Sequence, residues 1–206
     1  MSDVTGNIEP ESAGSLHRKL LEVLGTAPSA EQTGIGAMID VLDAPVGPLI
    51  AAANEHALVL LEFADRDRFA EQLSRVRAQL GTALVPGTDR WLDALRIQLE
   101  EYFAGKRRLF DLPLAYRGTE FQEKVWSTLL TIPYGETWSY RQVADRIGDP
   151  QATRAVGMAN GSNRIAIVIP CHRVVNANGT LGGYGGGPWR KRILLDLESR
   201  QPGFEL

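Results

Sequence analysis

The chain has 206 residues, of which 44% are hydrophobic and 23% charged, so it has globular composition and is not disordered as a whole. Its single cysteine, Cys171, excludes an intrachain disulfide and a zinc site with two thiolates. The net charge of −3 is uneven, because residues 1–116 carry −6 and residues 117–206 carry +3. Contacts with phosphate are therefore expected in the C-terminal half.

The N-terminal sequence lacks the features of a secretory or membrane segment. No run of 18 apolar residues occurs, and MSDVTGNIEPES is acidic and polar where a secretory signal is basic and then apolar. We therefore expect a soluble, cytoplasmic protein that does not contact a membrane. Residues 1–35 contain two prolines and four glycines, and we expect a flexible extension with one short helix at residues 16–24.

Residues 36–113 predict an α/β domain. Three apolar runs between residues 37 and 63, AMIDVLDA, LIAAA and ALVLLEF, are separated by turn sequences and are typical of a three-stranded meander. Residues 68–80 and 89–103 then place apolar side chains at helical spacing, which predicts two helices.

Residues 118–200 have a different pattern and predict a second, mainly helical domain. The capping-box sequence at residues 119–122 precedes an apolar helix face. Ser139 is expected to cap the next helix, and Asp149-Pro150 to begin a third at residues 151–160. Two helices joined by Gly-Asp-Pro indicate a helix-turn-helix.

The third predicted helix has an outer face of small and polar residues around one cation. Thr153, Arg154, Gly157 and Asn160 share this face, opposite an apolar one. Many helix-turn-helix units are purely structural, and a single arginine is usually a solvated charge. Small residues around the arginine favour DNA binding, because they let the helix approach a groove closely.

Cys171 follows the run IAIVI, residues 165–169, which is typical of a buried strand that Pro170 ends. A lone buried cysteine is more often inert packing than a nucleophile. His172 and Arg173 favour the nucleophile, because a histidine can take the thiol proton and a nearby cation favours the thiolate. Adjacent residues on a strand point to opposite sides, so Cys171 and His172 would need a bridging water or a bend.

Six glycines lie within residues 179–187, around Tyr184. Linkers have this composition, but such a loop also suits close backbone approach to a flat ligand. Pro188 is expected to begin the last helix, with Ile193, Leu194 and Leu197 packed inward. Glu198, near its end, would ordinarily be a surface acid.

These motifs together resemble the methylated-DNA–protein-cysteine methyltransferases, also called O6-alkylguanine-DNA alkyltransferases. The resemblance rests on PCHRV at residues 170–174, on RAVG at residues 154–157, on Asn163 and on the glycine loop. FQEKVW and IPYGE, between residues 121 and 136, extend it. The match is close over residues 118–199 and loose over the α/β region.

The resemblance implies an α/β, ribonuclease H-like N-terminal domain and a mainly α, winged-helix-like C-terminal domain with a helix-turn-helix. It implies a monomer that repairs double-stranded DNA by direct reversal, without cofactor or metal. An alkyl group, chiefly methyl, would pass from O6 of guanine, and also from O4 of thymine, to Cys171 in a single turnover. The damaged base would be flipped out of the duplex to reach the pocket.

The resemblance also implies a role for individual residues. His172, held by Glu198, would deprotonate Cys171 through a water, and Asn163 would brace the turn of the strand. Tyr140 would guide the base outward and donate a proton to the leaving guanine. Arg154 would fill the space that the base leaves. The remaining substrate or DNA contacts would come from the carbonyls of Cys171 and Val174, from N–H groups near Tyr184 and Gly185, and from Thr153 and Gly157.

Two departures from the family pattern bear on the pocket. Arg164 stands where proline is common, which affects the rigidity of the loop after Asn163. Gly185 and Gly186 make the rim small, which leaves room for alkyl groups larger than methyl.

Two other functions remain open from the sequence. One is a lesion sensor or DNA-binding regulator that recognises alkylguanine without transfer. Cys171 argues against it, because relatives of that kind replace the nucleophile. The other is a Cys-His hydrolase, which would need an oxyanion site and turnover.

Overall fold

The computed structural model describes residues 13–24, 36–64 and 69–199. In chain order its elements are α1 (Ala13–Leu24), β1 (Ala37–Leu42), β2 (Leu49–Ala53), β3 (Leu58–Phe63), α2 (Phe69–Leu80), β4 (Leu84–Pro86), α3 (Arg90–Phe103), α4 (Glu120–Leu129), β5 (Trp138–Ser139), α5 (Tyr140–Arg146), α6 (Thr153–Gly161), a 3-10 turn (Cys171–Arg173), β6 (Val174–Val175) and α7 (Pro188–Ser199). No helix in these ranges is both long enough and apolar enough to span a bilayer.

The N-terminal half forms a four-stranded sheet in the order β3-β2-β1-β4. The predicted meander is confirmed, since β1, β2 and β3 pair antiparallel. β2 is buried on both faces, which explains why its sequence LIAAA is apolar throughout rather than alternating. The short β4 pairs parallel to β1, and its three residues gave too little pattern to predict a strand.

Helix α1 packs into the N-terminal domain rather than extending from it. Leu16 and Leu20 are fully buried, in one cluster with residues of β1, β4 and α2. Nδ1 of His17 lies 2.9 Å from Oδ1 of Asp40 on β1. The prediction of a flexible extension is therefore wrong for residues 13–24, because two leucines at i, i+4 spacing make one buried helix face. Its other parts, residues 1–12 and 25–35, lie outside the described residues.

The C-terminal half contains the predicted helices, with one changed boundary. A capping box begins α4 at Thr119, as the sequence predicts. Ser139 caps α5 as predicted, and with Gln142 it also forms a capping box that was not predicted. The predicted cap of the third helix is wrong, because Asp149 accepts from Gln151 N in a turn and α6 begins only at Thr153. On α7, Ile193 is 40% exposed rather than packed inward.

Residues 165–169 are buried but do not form the predicted strand. Only Ile165 bridges to Leu61 of β3, after which the chain turns, with Ile169 N donating to Ile165 O at 2.9 Å. Ile167 has a φ of 70°, which a strand cannot contain. The β-branched composition of this run reflects its burial, and local turn hydrogen bonds replace a strand ladder.

One hydrophobic core joins the two halves. It includes Leu61 of β3, Leu99 of α3, Trp126 of α4 and Val174 of β6. A second cluster on the other face of the sheet holds α1 and α2. The turn at Cys171 therefore lies against an interior that both halves build.

Candidate active site

Cys171 is the first residue of the 3-10 turn and is only 5% exposed. Nδ2 of Asn163 donates to its Sγ at 3.1 Å and to the carbonyl of Ile169 at 2.9 Å. Oδ1 of Asn163 accepts from Ile165 N at 3.0 Å. Asn163 thus connects the buried turns of residues 165–169 to the sulfur of Cys171. The sequence had predicted that Cys171 lies at the end of a strand instead.

The surroundings of Cys171 keep its thiol protonated at rest. Burial raises the pKa of the thiol, and the hydrogen bond from Asn163 and the charge of Lys191 oppose this rise without cancelling it. A buried thiol with a raised pKa is a poor nucleophile until a base removes its proton. The site therefore needs a base close to Cys171.

His172 has the properties of such a base. Its side chain is fully buried, and Nε2 lies 2.9 Å from Oε1 of Glu198. Burial lowers the pKa of His172 despite the opposing hydrogen bond to Glu198, so the imidazole is neutral at neutral pH. Nε2 then donates its proton to the carboxylate, which leaves the lone pair on Nδ1.

Nδ1 of His172 is buried and has no hydrogen-bond partner among the described residues. In a 3-10 turn successive side chains are rotated by about 120°, so the opposite-face argument for a strand does not apply to Cys171 and His172. His172 therefore presents an unused acceptor in the same turn as the thiol.

Glu198 is the most heavily bonded group of the site, although the sequence alone suggested a surface acid. Oε1 accepts from Nε2 of His172, from the hydroxyl of Tyr102 at 2.7 Å and from Nη2 of Arg173 at 3.0 Å. Oε2 accepts from Nε of Arg173 at 2.8 Å and from Gly135 N at 3.1 Å. Burial alone would raise the pKa of Glu198, but His172 and Arg173 outweigh it and lower the pKa to about 2.

Two buried polar residues near the site, one of them a partner of Glu198, were not found from the sequence. Tyr102 lies on the apolar face of α3, where nothing distinguishes it from a core residue. Lys191 is fully buried on α7 and donates to the carbonyls of Val174 at 2.6 Å, Gly183 at 3.4 Å and Leu181. Burial lowers the pKa of Lys191 to about 8. Its neighbours in the sequence PWRKRILL are mostly exposed, so no pattern separated it from a surface lysine.

The carbonyls expected to accept from a base already have donors. Cys171 O accepts from Val174 N and from Nδ2 of Asn160 at 3.3 Å, and Val174 O accepts from Lys191. Asn160 is 4% exposed, so its predicted place on the outer face of α6 is wrong. A carbonyl oxygen can accept two hydrogen bonds. These donors use both positions of Cys171 O and one position of Val174 O, so Val174 O keeps one position for a base.

A cleft of about 660 Å³ opens beside Cys171 and is bounded by both halves of the chain. Tyr184, Gly185 and Gly186 of the glycine loop line it. The ring of Tyr184 meets Phe63 edge-on at 5.9 Å between centroids. A Cβ at Gly186 would lie 2.4 Å from the Phe63 ring, so only glycine allows this approach.

Tyr140 joins the helix-turn-helix to the glycine loop. It is the first residue of α5, and its hydroxyl donates to Gly183 O at 3.5 Å. A Cβ at Gly157 of α6 would lie 3.9 Å from its ring. Burial, and then the charge of a Cys171 thiolate, raise the pKa of Tyr140, so its hydroxyl stays protonated and able to donate.

The outer face of α6 is accessible at the residues predicted to meet DNA. Arg154 is exposed, and Thr153 and Gly157 are partly exposed. Met158, also on this helix, is 69% exposed and was not expected from the sequence. Nε1 of Trp126 donates to Ala159 O at 2.8 Å, which fixes α6 to the core behind this face.

Two family models cover most of the chain. The 6-O-methylguanine DNA methyltransferase, ribonuclease-like domain, matches residues 38–116, and the 6-O-methylguanine DNA methyltransferase, DNA binding domain, matches residues 120–200. The methylated-DNA–protein-cysteine methyltransferase of Mycobacterium tuberculosis strain H37Rv is 49% identical over 162 residues, which cover 78% of this chain and 92% of the relative. That of Methanosarcina barkeri is 44% identical over 159 residues, which cover 77% of this chain and 95% of the relative.

Two solved structures are similar over most of their length. The crystal structure of Mycobacterium tuberculosis O6-methylguanine methyltransferase has a TM-score of 0.71 and 44% identity, covering 83% of this chain and 96% of that one. The crystal structure of Mycobacterium tuberculosis OGT in complex with DNA has a TM-score of 0.68 and 46% identity, covering 79% of this chain and 92% of that one.

Proposed function

The chain belongs to the 6-O-methylguanine DNA methyltransferase family, and from that premise we propose which of its residues carry the reaction. The protein repairs alkylated DNA by direct reversal, moving the alkyl group from the base to a cysteine. Cys171 is the only cysteine of the chain and lies beside the cleft that both halves bound. This placement, with a histidine base in the same turn, carries the assignment of Cys171 as the acceptor.

Activation of Cys171 uses His172 and Glu198. Nδ1 of His172 takes the Sγ proton, directly or through one water, and the resulting imidazolium is stabilised by the carboxylate of Glu198. The hydrogen bond from Asn163 stabilises the thiolate that forms. Because the pKa of Glu198 is about 2, its carboxylate is already charged when the imidazolium appears.

The transfer step exchanges one bond for another. The thiolate attacks the alkyl carbon, a sulfur–carbon bond forms, and the bond from that carbon to O6 of guanine breaks with its electrons. Tyr140, whose hydroxyl stays protonated, donates a proton to the leaving guanine. The product at Cys171 is a thioether, which has no leaving proton and no path back to the thiol, so each molecule acts once.

The helix-turn-helix presents the damaged base to this site. We assign Arg154 to the space left in the duplex, with Thr153 and Gly157 beside it on α6. In the pocket, the N–H groups near Tyr184 and Gly185 face the base oxygen, and Val174 O accepts from its amine. Flipping is required because an in-line attack on the alkyl carbon cannot occur inside the base stack.

We place the alkyltransferase domain at residues 118–200 and its supporting α/β domain at residues 36–113. We propose that the protein acts as a monomer, in the cytoplasm, on double-stranded DNA.

The test is to incubate the wild type and Cys171→Ser with a duplex that contains one O6-methylguanine. The wild type is expected to remove the methyl group with a burst that stops at one equivalent. The serine variant is expected to bind the same duplex without transfer, because a serine hydroxyl is far less acidic than a thiol. Binding by the wild type without methyl loss would indicate a lesion sensor, and continued turnover beyond one equivalent would indicate a hydrolase; either result contradicts the assignment.

A further inference from the structure

The edge of the N-terminal sheet holds the loop that carries Asn163. Leu61 N of β3 donates to Arg164 O at 2.8 Å, and Ala166 N donates back to Leu61 O at 2.8 Å. One residue further along β3, Oε1 of Glu62 lies 2.8 Å from Nη1 of Arg164. Backbone and side-chain bonds therefore fix the residue directly after Asn163 to the other half of the molecule.

The carboxylate of Glu62 is itself held from α2. Its Oε2 accepts from Nη2 of Arg75 at 2.8 Å and from Nε2 of Gln72 at 3.3 Å. The Glu62 side chain is only 13% exposed, and that of Arg164 is 34% exposed. The ion pair between Glu62 and Arg164 is thus partly shielded from solvent. The bonds from α2 also fix the orientation of the Glu62 carboxylate that binds Arg164.

The loop between Asn163 and Cys171 needs an external restraint. Ile167 has a φ of 70°, a conformation that a β-branched residue rarely adopts. Such strain costs on the order of 1–3 kcal/mol and persists only when the surrounding structure holds it. Leu61 and Glu62 contact Arg164 and Ala166 of the same loop, which lie three residues and one residue before Ile167.

We propose that Glu62, acting through Arg164, is a positioning residue for alkyl transfer, because their ion pair holds the loop in the form that keeps Nδ2 of Asn163 against Sγ of Cys171. The proposal rests on the assignment of Cys171 as the acceptor. Glu62 belongs to the α/β half, so this half contributes to the chemistry of a cysteine in the other half.

Loss of the restraint changes the acidity of the thiol. Asn163 favours the thiolate against the effect of burial, so a displaced Asn163 raises the pKa of Cys171 further. The other titratable groups that bear on this thiol are His172 in the same turn, Lys191 and Glu198 of α7, Tyr140 of α5 and Tyr184 of the glycine loop. Among the described residues, Glu62 bonds to Gln72, Arg75 and Arg164 and to none of these groups.

The experiment compares Glu62→Gln, Arg164→Met and their combination in the full-length protein. Each single variant is expected to slow single-turnover methyl transfer at neutral pH by about tenfold and to move the rising part of the pH–rate profile up by about one unit, since one pKa unit changes the thiolate fraction tenfold. The double variant is expected to shift the profile no further than the single ones, because both substitutions reach Asn163 through the same ion pair. Iodoacetamide modification of the sole cysteine should show the same shift without DNA.

Arg96→Met is the matched control. Arg96 pairs with Asp40 at 2.9 Å in the same domain, with exposed fractions of 42% and 11% that are close to those of the Arg164 pair. It should change thermal stability to a similar extent and leave the pH–rate profile unchanged. An unshifted profile in Glu62→Gln and Arg164→Met, additive effects in the double variant, or an equal shift in Arg96→Met would each overturn the proposal. These outcomes are distinct from failure of the proposed function, in which the wild type itself transfers no methyl group.

Discussion

Replacing Glu198 by glutamine tests the buried network behind the nucleophile most severely. Glutamine keeps the shape of the side chain and an oxygen that can accept from Nε2 of His172. It removes the charge that faces Arg173, whose guanidinium donates to Glu198 at 2.8 and 3.0 Å and is only 5% exposed. The variant therefore leaves a buried cation without its counter-charge.

The expected loss of stability is large. Removing one partner of a buried ion pair costs about 3–5 kcal/mol, and each kcal/mol lowers the melting temperature of a chain of this size by about 2–4 °C. Glu198→Gln should therefore melt about 6–20 °C below the wild type. Glu101→Gln is the control, because its 2.6 Å pair with Arg107 is partly exposed and should be worth at most about 1 kcal/mol.

The pH dependence of stability gives a second, independent readout. The pKa of Glu198 is lowered from 4.5 to about 2, so its contribution is complete above pH 4.5 and is lost as the pH falls towards 2. A shift of this size corresponds to about 3 kcal/mol. Burial also lowers the pKa of His172, so its contribution is complete above the usual histidine pKa and is likewise lost on acidification.

The assay is thermal or urea unfolding of the wild type, Glu198→Gln and Glu101→Gln between pH 2 and 8. Glu198→Gln should lose the part of the acid sensitivity that lies between pH 4.5 and 2, and should transfer methyl groups more slowly because the imidazolium of His172 is no longer stabilised. A variant with the melting temperature and acid profile of the wild type would refute the reasoning, since the carboxylate would then carry no net interaction with Arg173.

The remaining predictions concern DNA and the product. Arg154→Ala should slow transfer from duplex DNA by about tenfold or more, since flipping costs a few kcal/mol, while transfer from free O6-methylguanine changes little; equal losses on both substrates in single-turnover assays would contradict its role in the duplex. Alkylated protein should melt below the free form, more for benzyl than for methyl, because an added methylene in a packed site costs about 1–3 kcal/mol. Amide exchange should show residues 140–160 loosened, and unchanged melting and protection would mean that the cleft accommodates the group without strain.

Features that depend on neighbouring residues were predictable from the sequence. The capping box at Thr119 and the cap at Ser139 were predicted correctly because each is completed within four residues. The meander was predictable because its strands are short, apolar and separated by turn residues.

Features that depend on distant residues were not predictable. Residues 165–169 have strand composition, but their burial comes from the interior that both halves build and their conformation from local turns. Tyr102 contacts Glu198 across 96 positions, so no local pattern indicates that a core tyrosine donates to a buried acid. The importance of Glu198 followed from family resemblance alone, because its own helix predicts only a surface position.

The intact mass of the protein after reaction with a duplex containing O6-methylguanine tests the central claim most directly. The wild type should gain about 14 Da, once only, and fragmentation should place the added methyl group on Cys171, the only thiol of the chain. An unchanged mass while the lesion disappears, or a methyl group on any other residue, would contradict the assignment of Cys171 as the acceptor.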